Sequence, residues 1–297
     1  MRYRIRHITE YSYADPAQLS HNLAHLEPCR TSRQEVSSFS LEADPLPAVV
    51  SRRIDGYGNA THFLLVQESH REFRIVAESV VSVAPWLPAD PSHSPPWEDV
   101  ARSLRPRPMG DLSSVSQFLH ASPYVPRVAG AEDYALPSFP RGRPALEGAF
   151  DLMRRVYTEF RYDPTATSVA TPLSEVFRNR RGVCQDFSHA MIACLRAMGL
   201  PARYVSGYLE TRPPPGKPRL VGADASHAWV QSWCPVHGWI DLDPTNDVAP
   251  SERHVTVAVG RDFADVTPLK GLVLGGGGQV VKVSVDVAPL EAPSEDD

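Results

Sequence analysis

Between residues 184 and 198 apolar side chains recur at steps of three and four: Phe187, Ala190, Met191, Cys194, Leu195 and Met198. That spacing predicts a helix with one buried face. Gly199 and Pro201 close it, a glycine to end the last turn and a proline that cannot continue it. Such a helix is roughly 22 Å long, enough to cross the core of a small domain. Its first turn carries Cys184, just after Gly182-Val183. A thiol in that place faces the positive end of the helix macrodipole and backbone N–H groups that lack intrahelical partners. The setting favours a thiolate and provides donors for a developing oxyanion. The plain alternative is a small buried hydrophobe that starts a core helix.

The length of 297 residues suggests about two domains. A net charge of −5, with Lys and Arg interspersed among the acids, supplies no basic face for nucleic acid. No 18-residue apolar run is present, so no membrane span is expected. The start, Met1-Arg2-Tyr3-Arg4-Ile5-Arg6-His7, is basic but lacks the apolar stretch of a signal peptide. Cys29, Cys184, Cys194 and Cys234 are scattered without framework spacing, which reads as reduced thiols of a cytoplasmic protein.

Residues 1–85 read as β. Tyr3, Ile5, His7, Thr9 and Tyr11 alternate with more polar neighbours, and further short strands are expected at 62–66, 73–77 and 80–83. Together they suggest a β-sandwich-like domain. Prolines interrupt 86–143 so often that it reads as a linker packed across the surface, with a short helix near 112–120. The catalytic core is placed at 144–290 and a disordered tail at 291–297. Its first helix, 144–161, has Leu146, Phe150, Met153, Val156, Tyr157 and Phe160 on one face. Thr171-Pro172 reads as an N-cap and first helical residue of a short helix. Strands are expected at 202–209, 226–233, 239–243, 254–259 and 280–287, with 212–216 as an exposed loop. Gly275 to Gly278 precede a strand, and so form a turn and not a phosphate loop.

A cysteine nucleophile needs a base within reach and a third group that orients the base. His227 and Asp243 lie on neighbouring strands joined by a short turn. A turn tip of three residues centred on Pro235 or Val236 places Asp243 opposite His227 or opposite Trp229, so that the two share a face. A tip of two residues, Val236-His237, puts them on opposite faces.

Three segments, Gly182-Val183-Cys184-Gln185-Asp186-Phe187, Asp224-Ala225-Ser226-His227-Ala228-Trp229 and Gly238-Trp239-Ile240-Asp241-Leu242-Asp243-Pro244-Thr245-Asn246, resemble the core motifs of the transglutaminase-like superfamily. The N-terminal β-region resembles the domain that precedes the core in bacterial members, and 260–266 resembles a segment that follows it. The resemblance implies an α+β fold: a β-sandwich-like domain, then a papain-like core with a Cys-bearing helix packed on an antiparallel sheet. It also implies Cys184 as nucleophile, His227 as base and Asp243 as orienter, in a peptidase, amidase or transglutaminase that forms a thioester and needs no cofactor. The expected partner is a peptide or protein substrate, with no nucleic acid and no membrane.

Other readings of the same residues are open. Gln185 and Tyr162 are candidate oxyanion donors beside the backbone N–H of Cys184, and Trp229 is a core residue or a groove wall. Asp241 is the other carboxylate able to orient His227. Cys184, His189, His227, Cys234 and His237 carry zinc-type ligands, although without a tight pair beyond Cys234 and His237. His189, about 500° around the helix from Cys184, points away from it. The non-catalytic alternative is a peptide-binding or scaffold protein that keeps the fold.

Overall fold

The computed structural model describes residues 1–86, 90–104, 113–211 and 226–290. The expected loop at 212–216, the first two residues of the second motif (Asp224 and Ala225) and the tail at 291–297 lie outside the described residues.

The chain opens with five strands: β1 (Arg2–Ala24), β2 (Gln34–Asp44), β3 (Val49–Ile54), β4 (Ala60–Val66) and β5 (His70–Val83). Helices α1 (Trp97–Ser103), α2 (Ser113–Ser116), α3 (Ala131–Ala135) and α4 (Ala145–Glu159) follow. Then come β6 (Arg161–Tyr162), α5 (Leu173–Asn179), β7 (Arg181–Gly182) and α6 (Cys184–Ala197). The remainder is β8 (Ala202–Leu209), β9 (Ser226–Cys234), β10 (Gly238–Leu242), β11 (His254–Gly260), α7 (Phe263–Val266), β12 (Leu269–Gly275) and β13 (Gln279–Leu290). Among the described residues no helix is long and apolar enough to cross a membrane.

β1 is the spine of the first sheet. Its first half lies between β5 and β13 and its second half between β4 and β12. The register breaks between Ser12 and Ala17, and one apolar cluster draws Phe73 and Ile75 from one half together with Leu64 and Val66 from the other. The two halves therefore pack on each other as in a sandwich. This corrects the expected boundary of the core at 290. β12 and β13 return to the first sheet, where both pair with β1. Sequence patterning marks β13 as a strand, passes over β12, and carries no information on so distant a partner.

The Pro-rich stretch is also more than a surface linker. Val100, Val125 and Phe139 are buried in the same cluster as α6, so its prolines break up regular structure without preventing burial. α4 buries Leu146, Met153 and Val156 as expected, whereas Tyr157 stays about half exposed. α5 begins at Leu173, with Pro172 as its N-cap, one residue later than the sequence suggests.

The second sheet has the order β10-β9-β8-β11, all antiparallel. α6 packs on β8 and β9, with α3, α4 and α5 around its other side. Every residue from Asp186 to Leu195 is buried. The sequence suggested one buried face; the small Ala190 and Ala193 let neighbours close over the rest.

β11 is an edge strand, and its exposed backbone groups need partners. Two buried side-chain amides from the first domain supply them. Gln34 Nε2 donates to Thr256 O at 2.7 Å, and Thr256 N donates to Gln34 Oε1 at 2.8 Å. Asn59 Nδ2 donates to Val259 O and accepts at Oδ1 from Val259 N, both at 2.8 Å. The two domains are thus joined along a strand edge by groups that imitate another strand. Asn59→Ala would leave the buried N–H and C=O of Val259 unpaired. The expected cost is about 2–3 kcal/mol in unfolding free energy by urea titration; a loss below about 0.5 kcal/mol would show that this edge contributes little.

Candidate active site

α6 begins with a local lock. Asp186, in its first turn, accepts from the backbone N–H of Val183 at 2.8 Å and from Thr167 Oγ1 at 2.7 Å. This returns a capping bond to the residue before Cys184 and fixes where the thiol emerges. Burial raises the Asp186 carboxyl, partly offset by these bonds. A Cβ at Gly182 would collide with the Asp186 carboxylate, so the glycine of the first motif is required sterically.

β9 and β10 form a hairpin whose tip is Pro235, Val236 and His237. Trp239 pairs with Trp233 and Leu242 with Val230, so the register centres on Val236. Continued by one residue it sets Asp243 opposite Trp229 and diagonal to His227, on one face. The observed bond follows: His227 Nε2 lies 2.8 Å from Asp243 Oδ2. Cys184 is the other group that raises the His227 imidazolium, and the two residues line the same cleft. With Nε2 engaged by Asp243, Nδ1 is the ring nitrogen left for the thiol. Burial pulls the His227 imidazolium down, but Asp243 and Cys184 outweigh it and push its pKa up to about 10.

Asp243 is fully buried. Its Oδ1 accepts from the backbone N–H of Thr245 at 2.9 Å and of Asn246 at 3.3 Å. Its Oδ2 accepts from His227, from Asn246 Nδ2 at 2.7 Å and from His254 Nε2 at 3.2 Å. Burial pushes the carboxyl up, but the donors, His227 and His254 foremost, hold it well below the usual carboxylate range. The Asn246 bonds come from the turn that Pro244 starts, and Asn246 Nδ2 also lies 3.3 Å from His227 Nε2.

His254 is the residue that sequence reasoning passed over. It starts the apolar strand β11, and an imidazole at the head of such a run was the available signal. Asp241 does not orient His227. Its carboxylate accepts from Arg33 at 2.6 Å, Trp229 Nε1 at 2.8 Å and Gln231 at 2.7 Å. Trp229 is correspondingly no groove wall: it is buried behind the site, 6.1 Å from the His227 ring and 5.3 Å from that of His254. Gly207 makes room for it, since a Cβ there would run into the indole and the Val255 carbonyl.

The proposed zinc ligands are not brought together. His189 is buried between Tyr124 and Tyr204 and accepts from Phe263 N at 3.2 Å; burial lowers it to about 3. The group with ligand-like spacing among the described residues is His227, Asp243 and His254, and their separations of 2.8 and 3.2 Å are those of hydrogen bonds.

Cys184, half-buried, opens on a cleft of about 420 Å³. Gln185 lines it with His227, Tyr204, Phe263 and Leu269, and the first sheet contributes Thr9, Tyr11, Val281 and Val283. Tyr162 stands outside this lining. It pairs with Gly182 across β6 and β7 and is about half exposed; burial and then the Cys184 charge raise its phenol. The first-turn N–H groups of α6, Cys184's included, have no intrahelical acceptor.

A family model described as the bacterial transglutaminase-like N-terminal region matches residues 3–82. The model described as the transglutaminase-like superfamily matches 139–244, which holds Cys184, His227 and Asp243. The chain belongs to the transglutaminase-like superfamily. An uncharacterized protein of Mycobacterium tuberculosis is 42% identical over 299 residues, spanning 98% of this chain and 93% of that protein. A protein-glutamine gamma-glutamyltransferase of Pseudomonas aeruginosa is 32% identical over 158 residues, 47% of this chain and 23% of that protein. A crystal structure from Cytophaga hutchinsonii, provisionally described as a cysteine protease, superposes with a TM-score of 0.73 at 21% identity, covering 99% of this chain and 92% of that one. That likeness is one of fold. His254 and the strands β11 to β13 lie beyond both transglutaminase-like matches.

The raised His227 pKa has a consequence for stability. A group whose folded value exceeds its unfolded one stabilises fully below the unfolded value, and the gain vanishes as pH rises through the folded value. For His227 the window runs from 6.5 to about 10. Urea midpoints of the wild type and His227→Gln should therefore converge as pH is raised across it. A gap that stays constant or widens would contradict the pairing.

Proposed function

We propose that this chain is a cysteine-dependent acyl-transfer enzyme acting on peptide or carboxamide bonds. The observation that carries the reading is the position of His227, bonded to Asp243 and lining the same cleft as Cys184. Nucleophile, base and orienter in that order are the elements of covalent acyl transfer.

In the proposed reaction His227 takes the thiol proton and Asp243 stabilises the imidazolium. Cys184 Sγ attacks the carbonyl carbon, and the oxyanion forms against the first-turn N–H groups of α6. The C–N bond breaks as His227 returns the proton to the departing amine. The thioester then yields to water, releasing an acid, or to a second amine, forming a new amide; either restores the thiol. Hydrolysis is the favoured branch: Cys184 opens to solvent, and water at ~55 M outcompetes a dilute amine unless the site selects one.

The test is incubation of purified protein with a peptide pool, with and without a fluorescent primary amine, read by mass spectrometry. Wild type should give new carboxylates, and Cys184→Ala should reduce product formation by about 10³-fold or more. His227→Ala should fall nearly as far. Full turnover by Cys184→Ala would overturn the reading, and amine adducts in place of acids would move the assignment to transamidation.

A further inference from the structure

The cleft beside Cys184 has walls from two sources, and the chemistry of one of them is selective. β1 and β13 run antiparallel in the register His7 to Val285, Thr9 to Val283 and Tyr11 to Val281. Residues directly opposite share a face, so these six form one continuous stripe. At one end the stripe is clamped against the core: His7 and Val285 are buried, and His7 Nδ1 meets Tyr208 Oη at 3.0 Å. At the other end it lines the cleft. There Val281 and Val283 are 44% and 55% exposed although they line the same cleft as Cys184.

The alternation of the strands decides what this end presents. Glu10 and Lys282 pair with each other in the register and stand between the stripe residues, so their side chains project from the opposite face. Among the described residues lining the cleft there is no Asp, Glu, Lys or Arg. Val169, Phe263 and Leu269 add further apolar lining. A charged substrate group placed against Val281 and Val283 would lose hydration to two aliphatic side chains that cannot replace it, whereas an aliphatic or aromatic one would bury apolar surface.

We infer that the cleft selects an acyl donor whose side chain next to the reacting carbonyl is uncharged and apolar, and that the face of the first sheet at Tyr11, Val281 and Val283 is the selecting wall. The inference rests on the proposed role of Cys184 and adds the substrate class to it. It also gives the N-terminal domain and the last strand a place in the site, although β13 lies outside the segment that matches the superfamily core.

The experiment uses the full chain and three chloroacetamides of similar length, N-pentyl, N-(4-carboxybutyl) and N-(4-aminobutyl). In each, Cys184 Sγ displaces chloride to form a thioether, and the second-order rate at Cys184 is read by peptide mass spectrometry. The N-pentyl probe should react about tenfold faster than either charged one, the effect of burying a few methylenes. Val283→Asp should abolish that advantage and rank the aminobutyl probe above the carboxybutyl probe. Leu272→Asp, on β12 and 75% exposed outside the cleft lining, should leave the wild-type ranking intact. Equal rates for the three probes, or a Val283→Asp ranking like that of the wild type, would overturn the inference while leaving the reactive cysteine standing. Failure of Cys184 to react with any probe would contradict the proposed function as well.

Discussion

An ionised carboxylate withdrawn from water costs several kcal/mol unless donors replace its hydration. Asp243 meets that requirement with five hydrogen bonds, from two backbone N–H groups, one amide and two imidazoles. Much of the second sheet is arranged around this node. The β9–β10 hairpin must hold its three-residue tip to keep Asp243 on the His227 face. The turn after Pro244 must fold back to present Thr245 and Asn246. β11 must pair with β8 so that His254 reaches the same oxygen as His227. Loss of any of these leaves a buried charge short of donors, so fold stability and site geometry are coupled through one side chain.

The same economy explains how the domains are held. β11 carries His254 at one end and is an edge strand, and its open backbone groups are matched by Gln34 and Asn59. Cys29 adds a backbone bond to Thr256 O at 3.1 Å. The first domain therefore supports the strand that supports Asp243, while its own face at β1 and β13 lines the cleft beside Cys184. The cleft lies between two units whose relative position is set by directional hydrogen bonds, a better specified arrangement than apolar contact alone.

What could be read from the residues was local. The apolar spacing after Cys184 marks α6, and Gly199 and Pro201 stop it within two residues of the observed end. The short Pro235 to Gly238 turn restricts the hairpin to few registers, one of which brings His227 to Asp243. The motif residues place Cys184, His227 and Asp243, yet the motifs alone leave Asp241 as a competing orienter, because two carboxylates on one face differ only in what else they bond. Non-local pairing was illegible. The return of β12 and β13 to β1 joins segments far apart in the chain. His254 meets Asp243 through the β11–β8 ladder, and the burial of α6 on all sides depends on α3, α4 and α5 arriving from distant segments. Trp229 illustrates the limit in one residue: the sequence left it as core or groove wall, and its indole N–H, needing a buried acceptor, takes it to Asp241 in the core.

The most direct test of the account is alkylation of the four cysteines by iodoacetamide as a function of pH, followed residue by residue by mass spectrometry in the wild type and in His227→Ala. Cys194 is buried and Cys29 partly so, and desolvation raises both thiols, Cys29 to about 12. They serve as internal references for unactivated sulfur. The account predicts that Cys184 labels faster than Cys29 and Cys194 and that this selectivity is lost in His227→Ala. Labelling of Cys184 no faster than Cys29 across the range would contradict it.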